Sequence, residues 1–384
     1  MVRSCTPDDH KNRSVVRWTD FWYHMDMNDF FARSPYNPII KPDPRHVWEA
    51  LKVYNPGAIF YDGKYHLFYR AMGHGTDWHS ALGYAVSDDG EHFTRFPDPI
   101  LDRDPNDPLE LRGLEDPRIT RVGDTFYMVY AAYDGKVPRL NVATSQNLKH
   151  WQRHGKAFAD FDFFKEGGVR VKWADGKPIE RYEPKPGVSG DRSKAGGIFP
   201  EQINGKFWML FNEFRIWLAT SDDGIAWNVL PGPFLEPRKG TDLFDNVFVE
   251  MGPPPIKIEK GWLVLYHGVN DAMQYQLGVL LLDLVDPTKI LFRSNEPIFG
   301  PRESYELSGM VDIIPGAMKL IEQDKWQELK HLLIDAERGG FMPQVVFTPA
   351  AVVVGDTIRL YYGAGDQSIC TATASLNDIL SIIP

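Results

Sequence analysis

The chain has 384 residues, with 42 Lys and Arg against 52 Asp and Glu, a formal net charge of −10 in which neither sign is gathered into a block. That balance excludes a polyanion-binding surface, so neither nucleic acid nor an anionic membrane is the expected partner, and 43% hydrophobic against 24% charged residues excludes a disordered chain. The two cysteines, Cys5 and Cys370, stand near opposite ends and offer neither a disulfide framework nor a zinc cluster, so no metal and no cofactor is expected.

Residues 1–36 read as an N-terminal extension. Its start, MVRSCTPDDHKNRS, has no apolar leader segment, and no window of the chain approaches eighteen apolar residues. The default expectation is a cytoplasmic protein, or a periplasmic one if the chain is a processed form. The stretch RWTDFWYHMDMNDFF, Arg17 to Phe31, is dense in aromatic residues and suits packing on the main domain or on a second subunit of a homo-oligomer.

From residue 37 a three-part unit begins. NPGAIF carries Pro56; DGKYHLFYRA, Asp62 to Ala71, is a Gly turn followed by an aromatic and β-branched run; YAVSDDGEHF, from Tyr84, is a short alternating strand ending in a polar turn. The unit returns as EDPRIT, VGDTFYMVYAA and VATSQNLKHW, and again as FPEQI, INGKFWMLFNE and LATSDDGIAW. Its fourth copy is PPPIKI, EKGWLVLYHGV and LLLDLVDPTKIL, and its fifth is TPAAVV, VGDTIRLYYGA and TATASLNDIL. The turn glycines Gly63, Gly123, Gly205, Gly261 and Gly355 are 60, 82, 56 and 94 residues apart, which leaves a unit of about 57 residues with two insertions. The first, about 156–194, is rich in Gly, Pro and charge and predicts a long loop. The second, about 312–344, contains EQDKWQELKHLLIDAERGG, where Trp326, Leu329, Leu332 and Leu333 follow helical spacing. Units of this length with three or more strands fit propeller blades. The expectation is an all-β fold: a single five-bladed β-propeller over residues 37–384, with a short helical insertion in the last blade region.

The phase of the repeat locates a site. In a propeller the innermost strands ring a central channel, and the residues just before the prolines, Asn55, Asp116, Phe199 and Thr348, are equivalent around it. The ends of the second strands add Arg70, Asn212 with Glu213, and His267 near the same level. Within GLEDPR, strand alternation puts Glu115 and Asp116 on opposite faces, one entering the mouth while the other pairs with Arg118. The loop AMGHGTDWHS holds His74 and His79 without a third ligand, which suits contacts to substrate better than a metal. Phosphate-binding, nucleophile-elbow, zinc-protease and dinucleotide motifs are missing. Carboxylates in an aromatic-rich mouth fit acid–base chemistry on a sugar. Most aromatic rings fall in the repeated strands and pack blade on blade, leaving Trp78 and Trp173 as candidates for stacking on sugar.

NPGAIFYDGKYHLFYRA, GLEDPRIT, MGPPPIKIEKGWLVLYHGV, YQLGVLLLDLVDPTKILFRSNEPIF and LYYGAGD, in that order, resemble glycoside hydrolase family 130 from about Asn37 to the C-terminus. That family comprises β-mannoside phosphorylases and β-mannosidases on a five-bladed propeller. The resemblance implies Asp116 as catalytic acid. It implies Asn55, Arg70 and Asp366 as residues holding the nonreducing-end mannose of a β-mannoside oligosaccharide, and His267 as a residue near the attacking group. The chain departs from the family's phosphorylases where their cationic phosphate pocket falls. Asn212-Glu213 and Glu250 stand at two such positions, Gln276 at a third, and Arg139 is the main remaining cation. Each acid about 4–6 Å from a bound phosphate would cost on the order of 1 kcal/mol or more, and the pair resembles that of the family's β-1,2-mannosidases. The sequence therefore favours inverting hydrolysis with Asp116 as acid and either Glu213 or Glu250 as base, which calls for about 6.5–9.5 Å between the two carboxyls. Phosphorolysis to α-mannose 1-phosphate is the alternative within the family. A glycosidase of another five-bladed family and a noncatalytic sugar-binding propeller are the alternatives outside it.

Overall fold

The computed structural model describes residues 30–73, 79–174, 177–240, 242–307, 316–323, 325, 328 and 342–384. Strand β1 is Ala32–Arg33. Blade one is the sheet β2 (Lys52–Tyr61), β3 (Lys64–Met72), β4 (Ser80–Ser87), β5 (Thr94–Arg95), and blade two is β6 (Leu114–Val122), β7 (Thr125–Tyr133), β8 (Pro138–Ser145), β9 (Gln152–Lys156). A separate hairpin follows, β10 (Arg170–Ala174) with β11 (Lys177–Arg181). Blade three is β12 (Gly197–Ile198), β13 (Phe207–Phe211), β14 (Trp217–Ser221), β15 (Asn228–Val229). Blade four contains β16 (Phe248–Met251), β17 (Ile256–Ile258), β18 (Gly261–Val269), β19 (Tyr275–Leu282) and β20 (Ile290–Arg293). Two short helices, α1 (Ser304–Leu307) and α2 (Ala317–Glu322), precede blade five, which is β21 (Val346–Val354), β22 (Thr357–Ala364) and β23 (Ser368–Ser375). All strand pairs within the blades are antiparallel, consecutive blades touch, and β2 touches β21, so the ring closes as a five-bladed propeller.

The closure uses residues ahead of the expected start at 37. β1 pairs with β23, Ala32 opposite Thr373 and Arg33 opposite Ala372, and supplies the fourth strand of blade five. Arg33 then reaches Glu306 at the end of α1 at 2.8 Å, and the same carboxylate accepts from Tyr362 at 2.7 Å. Phe31, the last residue of the aromatic N-terminal stretch, is buried against Phe299 with ring centroids 5.6 Å apart, while residues 1–29 and the positions of Trp326, Leu329, Leu332 and Leu333 lie outside the described residues.

The repeated motifs have local causes. In the polar turn, Ser87 Oγ accepts from the Gly90 N–H while the Asp89 carboxylate accepts from the Glu91 and His92 N–H groups, each at 2.9 Å. Ser221 with Asp223, and Ser145 with Asn147, repeat the arrangement in blades three and two. Among the described residues the aromatic and branched runs fill five apolar clusters that lie where neighbouring blades face one another. Blades two and three share Val129, Val142, Met209 and Trp217, for example, and blades four and five share Leu265, Val279, Leu360 and Tyr362. Burying each large apolar side chain contributes on the order of 2 kcal/mol.

The stretch at 156–194 is more than a loop. Phe158, Phe161 and Phe163 are buried in the blade-three core, with Phe158 4.4 Å from Phe211 and Phe163 5.5 Å from Trp217 between ring centroids. Val169 joins the same core and Val171 of the β10–β11 hairpin packs against it.

Candidate active site

The prolines of the inner strands create the site. Strand pairing skips two residues at Asn55-Pro56, at Asp116-Pro117 and at Thr348-Pro349, so blades one, two and five carry the same bulge. Pro has no N–H to lose there. Asn55 and Asp116 take left-handed backbone, φ 47° and 52°, a conformation these two residue types tolerate better than most. The bulge also undoes strict alternation: Glu115 and Asp116 do not separate to opposite faces, because both reach the same cations. Arg70 contacts Glu115 at 2.5 Å and Asp116 at 3.4 Å, and Lys194 contacts Asp116 at 3.0 Å and Glu115 at 3.6 Å. Arg118, the expected partner of the second acid, instead donates to the carbonyls of Gly252, Met251 and Asp116 and ties blade two to blade four.

Asp116 sits at the centre, 2% exposed, with Asn55 Nδ2 donating to it at 2.9 Å. Asn55 packs so closely on Gly363 that a Cβ there would meet its Oδ1 at 2.5 Å, which explains the glycine in YYGAG. Burial would raise the Asp116 carboxyl, but Lys194, Arg70, the Asn55 amide and Arg118 together hold it well below the ordinary carboxylate range. Glu250, 1% exposed, behaves oppositely. Burial pushes its carboxyl up to about 7 against the opposing charges of Lys194 and Arg118, and its Oε1 has no hydrogen-bond partner. Of the two carboxyls it is therefore Glu250 that keeps its proton as the pH rises toward neutrality, long after Asp116 has ionised.

Glu213, at the end of blade three, is in close contact with the guanidinium of Arg192. His267 lies directly across the strand pair from Glu250, so their side chains share a face. The imidazole is fully buried, stacks on Phe347 at 4.6 Å, and accepts the Thr348 N–H through Nε2, which puts its proton on Nδ1. Burial, with Arg118 adding to it, drops its pKa to about 3, so it is neutral. Asp366 is held above its usual range by burial, opposed by Lys52, and Lys52 is lowered by burial to about 7. The structure thus joins Asn55, Arg70 and Asp116 through direct contacts and links Glu250 and Asp366 to them electrostatically.

Arg139 is engaged by two other acids: it bonds Asp191 at 2.7 Å and Asp134 at 2.8 Å, and so fastens the end of the insertion to blade two. Sequence reasoning missed Lys194, Arg192 and Lys52. Arg192-Ser193-Lys194 leads straight into the blade-three inner strand, and that placement, two cations two residues apart, was the available signal. His79 pairs with Asp102 at 3.2 Å, while His74, Trp78 and the side chain of Trp173 lie outside the described residues. Among the described residues Asp43, His46 and Glu49 form a compact cluster, but Arg45 takes Asp43, and Tyr69 with Arg95 takes Glu49.

A model of glycoside hydrolase family 130, described as beta-1,4-mannooligosaccharide phosphorylase, matches residues 29–326. A 1,2-beta-oligomannan phosphorylase of Thermoanaerobacter sp. (strain X514) is 33% identical over 351 residues, 89% of this chain and 96% of that protein. A solved glycosyl hydrolase from Bacteroides ovatus superposes with a TM-score of 0.68 at 30% identity, covering 89% of this chain and 92% of that one. A second solved structure, also at TM-score 0.68 and 30% identity, covers 89% of this chain and 93% of its own. It is described as showing that this family of mannoside phosphorylases contains glycoside hydrolases that target β-1,2 mannosidic linkages in Candida mannan. With its fold, its ordered motifs and a match over most of its length, the chain belongs to glycoside hydrolase family 130.

Proposed function

We propose that the protein cleaves β-mannosides, removing mannose from the nonreducing end of β-1,2-linked manno-oligosaccharides by inverting hydrolysis. The observation that carries the hydrolytic reading is Glu250, a buried carboxyl with an unpartnered oxygen and a pKa near neutrality, a value suited to a general base. Asn55, Arg70 and Asp366 hold the terminal sugar. Asp116 gives its proton to the glycosidic oxygen as the C1–O bond breaks, and Glu250 takes a proton from the water that attacks C1 from the opposite side. The neutral His267 serves as a fixed wall beside Glu250. Arg139 holds the insertion through Asp191 and Asp134.

The free site carries the pair's proton on the wrong member. Sugar entering between Lys194 and Asp116 loosens that 3.0 Å contact and excludes water, and both changes raise Asp116 toward the proton it needs.

Phosphorolysis is the second reading. The named phosphorylase relatives favour it, as do the two cations Arg192 and Lys194 beside the acids. Phosphate dependence separates the two. On β-1,2-mannobiose the hydrolytic reading expects the same initial rate with and without inorganic phosphate. A rate that depends on phosphate overturns it in favour of phosphorolysis.

A further inference from the structure

Arg118 is a buried cation of the site that the acid–base steps do not use. It is 1% exposed and follows Pro117 directly out of the blade-two bulge. Its planar fork is turned to backbone: Nη1 donates to the Asp116 carbonyl at 3.2 Å, Nη2 to that of Met251 at 2.8 Å and Nε to that of Gly252 at 2.9 Å. The Phe347 ring lies 5.7 Å from the guanidinium carbon.

These carbonyls belong to two separate strands. Asp116 is on β6, whereas Met251 ends β16 one residue after Glu250, and Gly252 follows it. Blade three stands between those blades in the ring, so the guanidinium links the acid's strand to the base's strand across the ring rather than along a blade seam. The linked segments are also fixed on their other sides. A Cβ on Gly57 of blade one would meet the Pro117 carbonyl at 2.5 Å, and one on Gly252 would meet the Leu265 carbonyl at 2.4 Å. The Met251 N–H donates to the Asn212 carbonyl at 3.1 Å.

Packing alone does not call for an arginine here. A guanidinium buried with carbonyls for partners carries a desolvation cost that an apolar side chain of similar volume would avoid. Burial lowers the Arg118 pKa, and the charges that oppose this are those of Asp116 and Glu250, so the cation acts on both members of the reacting pair. The rigid fork also fixes three acceptors at once, which the single ammonium of a lysine does not.

We propose that Arg118 is a positioning residue that sets the gap between acid and base: by joining the Asp116 backbone to Met251, it holds the two carboxyls at the separation the attacking water needs. The inference rests on the reading of Asp116 and Glu250 as that pair.

The test is a double-mutant cycle on β-1,2-mannobiose with Arg118→Lys, Glu250→Gln and the double variant, with thermal melting to establish folding. Arg118→Lys keeps the charge and loses the fork. It should lower kcat at least about a hundredfold with KM within about threefold of wild type, the effect of misplacing reacting groups by about 1 Å. Added to Glu250→Gln, it should cost less than about threefold more, because it acts through that carboxyl. A purely structural arginine would lower the rate by the same factor in both backgrounds, and that result overturns the proposal. So does a loss confined to KM, or a kcat for Arg118→Lys within about threefold of wild type. Arg118→Gln, which retains an amide donor, takes its place should Arg118→Lys not fold; loss of folding in both makes the residue one of stability alone and also overturns the proposal. Failure of the two ideas is distinguishable. Wild-type turnover in Glu250→Gln sinks the acid–base reading, whereas an inactive Glu250→Gln beside an unimpaired Arg118→Lys sinks this inference alone.

Discussion

Lys194→Met should move the alkaline limb of the pH–rate profile upward. In the proposed mechanism cleavage needs Asp116 protonated and Glu250 ionised, one proton between them, while below about pH 7 the free enzyme keeps that single proton on Glu250, whose carboxyl burial pushes up to about 7. The active arrangement and the dominant one thus hold the same number of protons. Their ratio is constant below pH 7, and both are lost as pH rises through that value. The profile of kcat/KM for wild type should accordingly be flat through mildly acidic pH and fall about tenfold per unit above about pH 7. Lys194 is the first of the charges that oppose the burial effect on Glu250, and it touches Asp116 at 3.0 Å. A unit charge within about 6 Å at an effective dielectric near 20 is worth on the order of 2–3 kcal/mol. Its removal should raise both carboxyls and shift the fall by at least about one pH unit. Initial rates on β-1,2-mannobiose from pH 5 to 9.5, for both proteins, measure this. A wild-type rate that climbs through pH 7, or a limb that stays in place in Lys194→Met, refutes the shared-proton reasoning.

Asp116→Asn should lower turnover by at least about a thousandfold while leaving thermal stability near wild type, read by steady-state kinetics and melting; a residual rate within tenfold of wild type would exclude Asp116 as the acid. Glu250 also predicts a stability difference. Its folded pKa of about 7 lies above the ordinary 4.5, so between those values the native state holds a proton the unfolded chain has released. The penalty is absent below pH 4.5 and complete above 7, and denaturant unfolding should find Glu250→Gln gaining about 3 kcal/mol over wild type across that window. Phe158→Ala, which empties a ring packed on Phe211 and Phe161, should cost about 3–5 kcal/mol in the same assay and depress activity by loosening the segment that carries Arg192 and Lys194.

The propeller was legible because its causes are local and repeated: the Gly turn, the aromatic run and the Ser/Asp turn each recur with the hydrogen bonds that make them. The chain positions of Asn55, Arg70 and Asp116 were legible for the same reason, since repeat phase fixes ring position. Phase could not see the bulge. The left-handed backbone at Asp116 swings both acids of GLEDPR toward Arg70, and simple alternation sends one of them to Arg118 instead. Nor could phase reach residues outside the repeat. Lys194 and Arg192 arrive on an insertion whose Phe158, Phe161 and Phe163 are buried in blade three, and a Gly- and Pro-rich composition hides such an anchor. Arg139 was the converse case: a cation at an inviting ring position whose two aspartate partners come from the neighbouring loop and from the insertion.

The most direct test of the central claim, water attacking opposite Asp116, is proton NMR of the first products formed from β-1,2-mannobiose in phosphate buffer. α-Mannose should appear first from the nonreducing unit, ahead of mutarotation, with no sugar phosphate. α-Mannose 1-phosphate as the first product would contradict hydrolysis, and β-mannose would contradict inversion.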